Sequence, residues 1–272
     1  MISAALAVLG LVLALAVLVR LIEPSFAFFP LTGETVTPRD LDVPCEPQSI
    51  TTSDGERLRA WRFHAATPRA LIVYFHGNGG NLSMWAPIVA SVARRGYSVL
   101  AFDYRGYGLS TGRPTERGLY RDVDAIVGSI ASDGHLPRPV VYWGRSLGTA
   151  MAAYAATVKR PDGVILESGF PDARALVRSS PPLALLALFS TYRFPTAKLM
   201  EPINVPVLVM HGDADAVIPF ALGRELYDRL AMPKQFFVVR GGDHNDAQAP
   251  DEQTYWNTVD RFVEQMAASA KR

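Results

Sequence analysis

The chain has 272 residues, of which 49% are hydrophobic and 19% charged, and its formal net charge is +1. This length and apolar content suffice for one sizeable core, and a net charge so close to zero gives no basic footprint of the kind that binds nucleic acid. The single cysteine, Cys45, excludes an internal disulfide bond. No Cys/His cluster has metal-ligand spacing and no glycine-rich phosphate loop follows a strand, so we expect neither a metal nor a cofactor.

The chain begins with an apolar segment, residues 2–19, that contains neither a charged residue nor a proline. As a helix this segment would be about 27 Å long, close to the thickness of the hydrocarbon core of a bilayer. It therefore predicts a single-pass membrane protein with a transmembrane anchor at residues 1–22 and a linker at residues 23–47. A signal peptide cleaved after Ala27 is the alternative, although no lysine or arginine precedes the apolar stretch. The flanking charges leave the orientation in the membrane open.

Downstream of the linker, apolar runs alternate with helix-compatible stretches, which is the pattern of a mostly parallel sheet with helices on both faces. The first two runs are separated by the turn Ser53-Asp54-Gly55 and predict an antiparallel hairpin at the edge of the sheet. Eight strands are predicted, at residues 48–52, 58–64, 70–75, 98–102, 140–143, 163–166, 207–210 and 235–239. Helices are predicted at residues 82–95, 117–132, 146–159, 220–230 and 251–268. Together these elements predict one α/β domain at residues 48–272.

A serine follows the fifth predicted strand, inside the sequence Gly144-Arg145-Ser146-Leu147-Gly148. A Gly-x-Ser-x-Gly pattern between a strand and a helix is typical of the nucleophile elbow of serine hydrolases. Small residues two positions before and after the serine let neighbouring backbones approach closely enough for such a tight turn. Ser146 is therefore the candidate nucleophile.

A serine hydroxyl is a poor nucleophile at neutral pH, so this interpretation requires a base to accept its proton and an acid to orient the base. A loop containing Asp215 follows the seventh predicted strand, and a loop containing His244 follows the eighth. The order Ser, Asp, His along the chain is that of the α/β hydrolases. We take His244 as the general base and Asp215 as the acid that orients it.

Other residues compete for these two roles. His211 is an alternative base, and Asp213 and Glu167 are alternative acids. The spacing from the preceding pair, His211-Gly212, and from the downstream pair, Ile218-Pro219, favours Asp215 over Asp213. Glu167 follows the sixth predicted strand, which is a rarer location for the acid.

Four blocks carry a further signal, namely residues 76–81, residues 103–108, residues 144–148, and His211-Gly212 with Asp215 and Ile218-Pro219. With these blocks in this order, the segment from Ala70 onward resembles the α/β-hydrolase family, in particular its short-lid, membrane-anchored branch of serine hydrolases. The resemblance implies an oxyanion hole formed by the backbone N–H groups of Asn78 and Leu147. Such donors are needed because acyl transfer builds negative charge on a carbonyl oxygen.

The same resemblance places a lid after the sixth strand, and residues 170–205 occupy that position. The lid segment is short, and its middle, residues 181–189, is nearly all apolar. Such a sequence predicts either a helix over an apolar acyl pocket or a helix that only packs on the core.

These observations predict a membrane-anchored serine hydrolase that cleaves carboxylic esters or thioesters through an acyl-enzyme. Small-molecule or lipid-like esters are the expected substrates, the membrane is the expected partner, and nucleic acid is not. The alternatives are a peptidase of the same fold and a catalytically silent, membrane-tethered binding module. Because every candidate catalytic residue lies downstream, a chain beginning near Thr35 is expected to retain activity on a small water-soluble ester.

Overall fold

An eight-stranded sheet forms the centre of the protein, whose computed structural model describes residues 2–131, 136–179, 191–246 and 251–269. Every neighbouring pair in this sheet is parallel except the two pairs that involve the seventh strand in spatial order, which runs against both its neighbours. In spatial order the strands are β10 (Lys234–Val239), β9 (Val207–Gly212), β8 (Gly163–Glu167), β7 (Val140–Arg145), β4 (Leu71–Phe75), β6 (Ser98–Phe102), β3 (Arg57–Phe63) and β2 (Cys45–Thr51).

Helices cover both faces of the sheet, so the central strands are buried on both sides. The whole run Leu-Ile-Val-Tyr-Phe of β4 is buried, as expected for a central parallel strand, whereas the edge strand β2 is mostly exposed. One face is covered by α2 (Leu82–Arg94) and α8 (Glu252–Ser269), and the other by α3 (Glu116–Ala131), α4 (Gly148–Val158) and α7 (Phe220–Arg229).

The eight-stranded, mostly parallel sheet and the antiparallel edge hairpin predicted from the sequence are confirmed. The structure adds a two-stranded parallel sheet, β1 (Phe29–Pro30) with β5 (Gly79–Gly80), that the sequence analysis missed. Two-residue strands rich in glycine and proline carry no hydrophobic period from which they could be predicted. This small sheet places the start of the body against the loop that follows β4.

Two short helices, α5 (Ala173–Arg178) and α6 (Thr196–Met200), lie in the predicted lid segment. The apolar middle of that segment, residues 181–189, lies outside the described residues.

The N-terminal helix α1 (Ile2–Ala27) is longer than the predicted anchor at residues 1–22. Within it, Leu6–Ser25 is long and apolar enough to cross a membrane by length and composition, and most of this span is exposed. Of the predicted linker at residues 23–47, the first residues, 23–27, belong to α1 and the last, 45–47, belong to β2. Between them lie β1 and a 3-10 turn, Pro38–Asp40, so this segment packs on the body as ordered structure.

Candidate active site

Ser146 occupies the turn between β7 and α4 in a backbone conformation that L-residues rarely adopt. Its φ is +54°, and its side chain lies in a buried position. A Cβ added to Gly148 would lie 1.9 Å from the carbonyl oxygen of Phe75, and one added to Gly144 would lie 2.1 Å from the carbonyl oxygen of Gly148. Only glycine allows these approaches, so the turn that carries the serine requires the two glycines of the predicted motif.

His244 and Asp215 are brought together from the loops that follow β10 and β9. The His244 Nδ1 is 2.8 Å from the Asp215 Oδ2, and only 10% of the His244 side chain is exposed. The other oxygen of Asp215 accepts hydrogen bonds from the backbone N–H groups of Val217 and Ile218, at 2.9 and 2.7 Å. The carboxylate is therefore fixed on both sides, and the ring can present Nε2 away from it.

The charge of Asp215 is maintained by its hydrogen bonds. Burial by itself raises the pKa of this carboxyl, but hydrogen bonds from His211, His244 and the backbone N–H of Ile218 hold the pKa well below its usual range. His211 is 3.3 Å from the carboxylate and 2.9 Å from the carbonyl oxygen of Ile218. The alternative base is thus fully buried beside Oδ2, the same oxygen that His244 contacts, where it supports the carboxylate.

The alternative acids lie in other surroundings. Asp213 accepts a hydrogen bond from the backbone of Gly241 at 2.6 Å and lies 3.3 Å from the Arg240 guanidinium. Glu167 accepts hydrogen bonds from the Trp143 and Tyr255 side chains, both at 3.0 Å, inside the core. The structure places neither carboxylate in contact with His244.

Arg145, which directly precedes Ser146, links the turn that carries the serine to the loop that carries His244. Its guanidinium donates a 2.6 Å hydrogen bond to the carbonyl oxygen of His244 and lies over the Trp85 ring. Between described residues there is no hydrogen bond from the Ser146 hydroxyl to the His244 ring; such contacts in free enzymes are often long and tighten with substrate. The sequence analysis missed this role of Arg145. The signal was an arginine at the end of an apolar strand, because a buried charge requires a hydrogen-bonding partner inside the protein.

The two candidate oxyanion donors lie on neighbouring loops, and a Cβ added to Gly77, directly before Asn78, would lie 3.4 Å from the Cβ of Ser146. Leu147 follows the serine directly, and Asn78 lies on the loop after β4, which runs parallel to β7 in the sheet. Neither backbone N–H donates a hydrogen bond to another described residue. An oxyanion hole requires N–H groups that are not already bonded to a protein acceptor, and both candidates meet this requirement among the described residues.

The side chain of Asn78 is engaged on the side of the loop that faces the N-terminal segment. Its Nδ2 donates to the carbonyl oxygen of Ala27 at 2.7 Å, and its Oδ1 accepts from the Tyr107 hydroxyl at 2.9 Å. Tyr107 was part of a predicted block, but the sequence offered no signal for either partner.

A buried pair lies beneath the same loop. His76 Nε2 is 3.7 Å from Asp103 Oδ1, which also accepts a 2.8 Å hydrogen bond from the Leu82 backbone. Burial lowers the pKa of His76 to about 4 and raises the pKa of Asp103 to about 7. His76 is thus a neutral scaffold residue near neutral pH.

The family model described as serine aminopeptidase, S33, matches residues 66–202 of this chain. Among its relatives, an uncharacterized protein of Mycobacterium tuberculosis is 32% identical over 250 residues, which are 88% of this chain and 86% of the relative. An uncharacterized membrane protein of Saccharomyces cerevisiae is 32% identical over 252 residues, covering 90% of this chain and 88% of the relative.

Solved structures are similar in fold. The Pyrococcus furiosus esterase Pf2001 has a TM-score of 0.71 at 20% identity and covers 88% of this chain and 98% of its own. Est1E from Butyrivibrio proteoclasticus, solved with ferulic acid bound, has a TM-score of 0.65 at 17% identity and covers 80% of this chain and 99% of its own.

Proposed function

The chain belongs to the α/β-hydrolase family represented by the serine aminopeptidase, S33, model, and from this premise we propose that it is a membrane-anchored serine hydrolase. The proposed reaction is the cleavage of carboxylic esters or thioesters through an acyl-enzyme. In this proposal residues 1–22 anchor the protein, residues 48–272 form the catalytic domain, and residues 170–205 form the lid.

In the proposed mechanism, Ser146 Oγ attacks the carbonyl carbon of the substrate while His244 Nε2 accepts the hydroxyl proton. The negative charge that develops on the carbonyl oxygen is stabilised by the backbone N–H groups of Asn78 and Leu147. The bond to the leaving alcohol or thiol then breaks, and the imidazolium donates the proton to it. Water repeats the sequence on the acyl-enzyme and releases the acid. Asp215 stays ionised and holds the ring in the tautomer that leaves Nε2 free.

The observation that carries the proposal is the strained backbone of Ser146. A residue other than glycine at positive φ costs about 1–3 kcal/mol and persists only where the surrounding structure over-determines it. Here the backbones approach closely at Gly144 and Gly148, where a Cβ could not be accommodated, and the N–H groups of Leu147 and Asn78 have no acceptor among the described residues. A purely structural turn has no need for this combination.

A group of exposed apolar side chains supports a lipid-like substrate. Phe29, Leu31, Met84 and Leu109, which we call the apolar rim, are each more than half exposed. They surround the two-stranded sheet of β1 and β5, which directly follows α1. Because Phe29 and Leu31 follow an apolar helix closely in the chain, we expect the apolar rim to face the bilayer interface, where acyl substrates are concentrated.

Contacts at the end of α1 favour an uncleaved anchor over a signal peptide. The Glu23 carboxylate accepts hydrogen bonds from the backbone and hydroxyl of Thr191, and the carbonyl of Ala27 accepts one from Asn78. Cleavage after Ala27 would remove both contacts, because the Glu23 carboxylate and the Ala27 carbonyl both belong to the segment that would be discarded. A segment that is discarded has no need for such contacts with the mature body.

Peptide cleavage is a second candidate, because the family description itself names aminopeptidases. An aminopeptidase needs a carboxylate to bind the α-amino group of its substrate. The lid segment contains only Asp172 and Glu201 as acids, and Asp172 caps α5 and lies near Arg229. Esters and thioesters are therefore the favoured substrates.

The test is ester hydrolysis by the purified full-length protein in detergent, together with labelling by a fluorophosphonate. Ser146→Ala should abolish labelling and lower kcat/KM by at least about 10³-fold, and adding His244→Ala should cost little more because the two residues act as a unit. Ser168→Ala is the matched control, since this serine is also buried and also at positive φ, +49°, but at the end of β8.

Hydrolysis that survives Ser146→Ala would refute the nucleophile. A wild-type protein that neither hydrolyses an ester chain-length series nor takes up the label would favour the silent binding module. Turnover of aminoacyl amides in preference to esters would favour the peptidase.

A further inference from the structure

The loop that carries Asn78 is bracketed by the chain that follows the apolar helix. The parallel pairing of β1 with β5 places Phe29 opposite Gly79 and Pro30 opposite Gly80, and the Leu31 N–H donates to the Gly80 carbonyl at 3.0 Å. These backbone bonds run directly along the oxyanion loop, residues 77–81.

Side chains reinforce the same contact. Asn78 Nδ2 donates to the carbonyl of Ala27 at 2.7 Å, while the Tyr107 hydroxyl donates to Asn78 Oδ1 and faces the backbone N–H of Phe29. Asn81 Nδ2 donates to the carbonyls of both Leu31 and Gly33, at 3.2 and 2.8 Å. Each residue of this part of the loop that has a polar side chain thus contacts residues 27–33.

Residues 27–33 are in turn anchored to the lid side of the body by one buried ring. Phe28 is 3% exposed, and its ring lies edge-on to Tyr192 and Phe194, with centroids 5.3 and 6.2 Å away. Its neighbour Phe29 is 56% exposed. Phe28 lies between Ala27, whose carbonyl contacts Asn78, and Phe29, whose N–H faces Tyr107, so its buried ring fixes both contacts.

The oxyanion loop requires such support because three of its five residues are glycines, Gly77, Gly79 and Gly80. Glycine leaves the backbone free to populate many conformations, whereas an oxyanion donor must lie within a few tenths of an ångström of its working position. A contact that restricts this loop therefore keeps the Asn78 N–H in position to stabilise the charge of the transition state.

We propose that residues 27–33 are a positioning element for the oxyanion loop, so that the seating of the chain after the apolar helix sets the rate of the acyl-transfer step. This inference rests on the proposed function, because it takes the Asn78 N–H as an oxyanion donor. It also revises the expectation for a chain that begins near Thr35, which would lack the whole positioning element and should turn over slowly even on a water-soluble ester.

The test uses the full-length protein in detergent and a small water-soluble ester. Phe28→Ala should lower kcat about tenfold to a hundredfold and leave KM within about twofold, since removing an oxyanion donor outright costs about 10²–10³ in kcat. The matched control is Phe262→Ala, which removes an equally buried ring from α8 on the other face of the sheet; the folded variant should keep the wild-type kcat. Phe28→Leu should restore most of the loss. A thermal melt of each variant checks that it is folded.

A second pair keeps the proposal testable if Phe28→Ala fails to fold. Leu31→Pro removes the N–H that bonds to the Gly80 carbonyl at 3.0 Å, and the control His64→Pro removes an N–H that bonds to the Pro44 carbonyl at the same distance, directly after β3. Leu31→Pro should lose kcat and His64→Pro should not.

The outcomes separate the two proposals. If folded Phe28→Ala and Leu31→Pro keep the kcat of their controls while Ser146→Ala is inactive, the positioning role is refuted and the proposed function stands. If Ser146→Ala is active, the proposed function fails, and the positioning role fails with it. An equal fall in activity in both members of a pair would also refute the role, because it would show a general loss of fold.

Discussion

The two halves of the candidate site are held in place by different kinds of contact. Ser146, Asp215 and His244 lie at the carboxyl ends of β7, β9 and β10, and each is positioned by the strand that precedes it and by bonds from nearby loops. Asn78 also follows a strand, but its side chain depends on Ala27 and Tyr107, which are 51 and 29 residues away in the chain. The first half belongs to the sheet, whereas the second also belongs to the N-terminal segment.

The residues that attack and transfer protons are therefore held differently from the loop that carries the oxyanion donor Asn78. Residues at the ends of parallel strands share the rigidity of the sheet, so proton transfer and nucleophilic attack are supported by the core itself. A glycine-rich loop has no such internal rigidity, and the contacts that restrict it come from the one part of the body that is continuous with the apolar helix. We infer that substitutions in the first half act on stability and chemistry together, while those in the second act mainly on the rate.

The largest effect is expected where the sheet-held half orients the base. Asp215→Asn should lower kcat by about 10³–10⁴, because an amide can hold the wrong tautomer of the His244 ring. Asp213→Asn removes a carboxylate from the same loop and should stay within about threefold of the wild type. Steady-state kinetics on one ester compares the two. If Glu167→Gln lost most of the activity while Asp215→Asn lost little, the acid that orients His244 would be Glu167, at the end of β8.

A large loss of stability is expected where two backbones meet. Gly148→Ala would force a Cβ against the carbonyl oxygen of Phe75, 1.9 Å away, and should lower the free energy of unfolding by at least about 3 kcal/mol or prevent folding. Gly128→Ala, in α3, meets nothing within 4 Å and should be neutral or stabilising by about 0.5–1 kcal/mol. Urea unfolding measures both. A well-folded Gly148→Ala protein would show that the serine turn does not require glycine at this position.

The smallest effect is expected beneath the oxyanion loop and depends on pH. The pKa of Asp103 is about 7 in the folded protein and about 3.9 in an unfolded chain, so between these values the folded state binds more protons. Stability should therefore fall as the pH rises through this interval. Asp103→Asn cannot ionise, so its free energy of unfolding relative to wild type should rise by about 1 kcal/mol or more between pH 5 and pH 8.5.

The control for this pH effect is Asp228→Asn, the same change at an exposed carboxylate. Its stability difference from the wild type should be nearly independent of pH over the same range, as measured by urea unfolding. A pH-independent difference for Asp103→Asn as well would mean that the buried carboxyl is ionised throughout.

Much of the sheet and of its loop ends was predictable because the relevant signals are local. The six parallel strands fall where apolar runs occur, and the two strands of the edge hairpin lie on either side of the predicted turn. The Gly-x-Ser-x-Gly pattern predicts a turn whose geometry depends on a few neighbouring residues, and Ser146 does adopt the positive φ of such a turn. The proximity of Asp215 and His244 follows from topology, since the carboxyl ends of adjacent parallel strands meet at one edge. Their catalytic roles remain predictions.

Tertiary structure decided how these parts are connected. The hydrogen bond from Arg145 to the carbonyl of His244 spans 99 residues, and the contacts of Asn78 with Ala27 and Tyr107 span 51 and 29. No period or spacing in a single sequence encodes which distant polar groups will meet, because that depends on how the finished sheet orients the loops at its edge. The sequence by itself determined the strand order along the chain, the serine turn and the apolar helix. Only the folded chain decided that the segment after this helix would brace the oxyanion loop, because a glycine-rich loop takes its conformation from whatever packs against it.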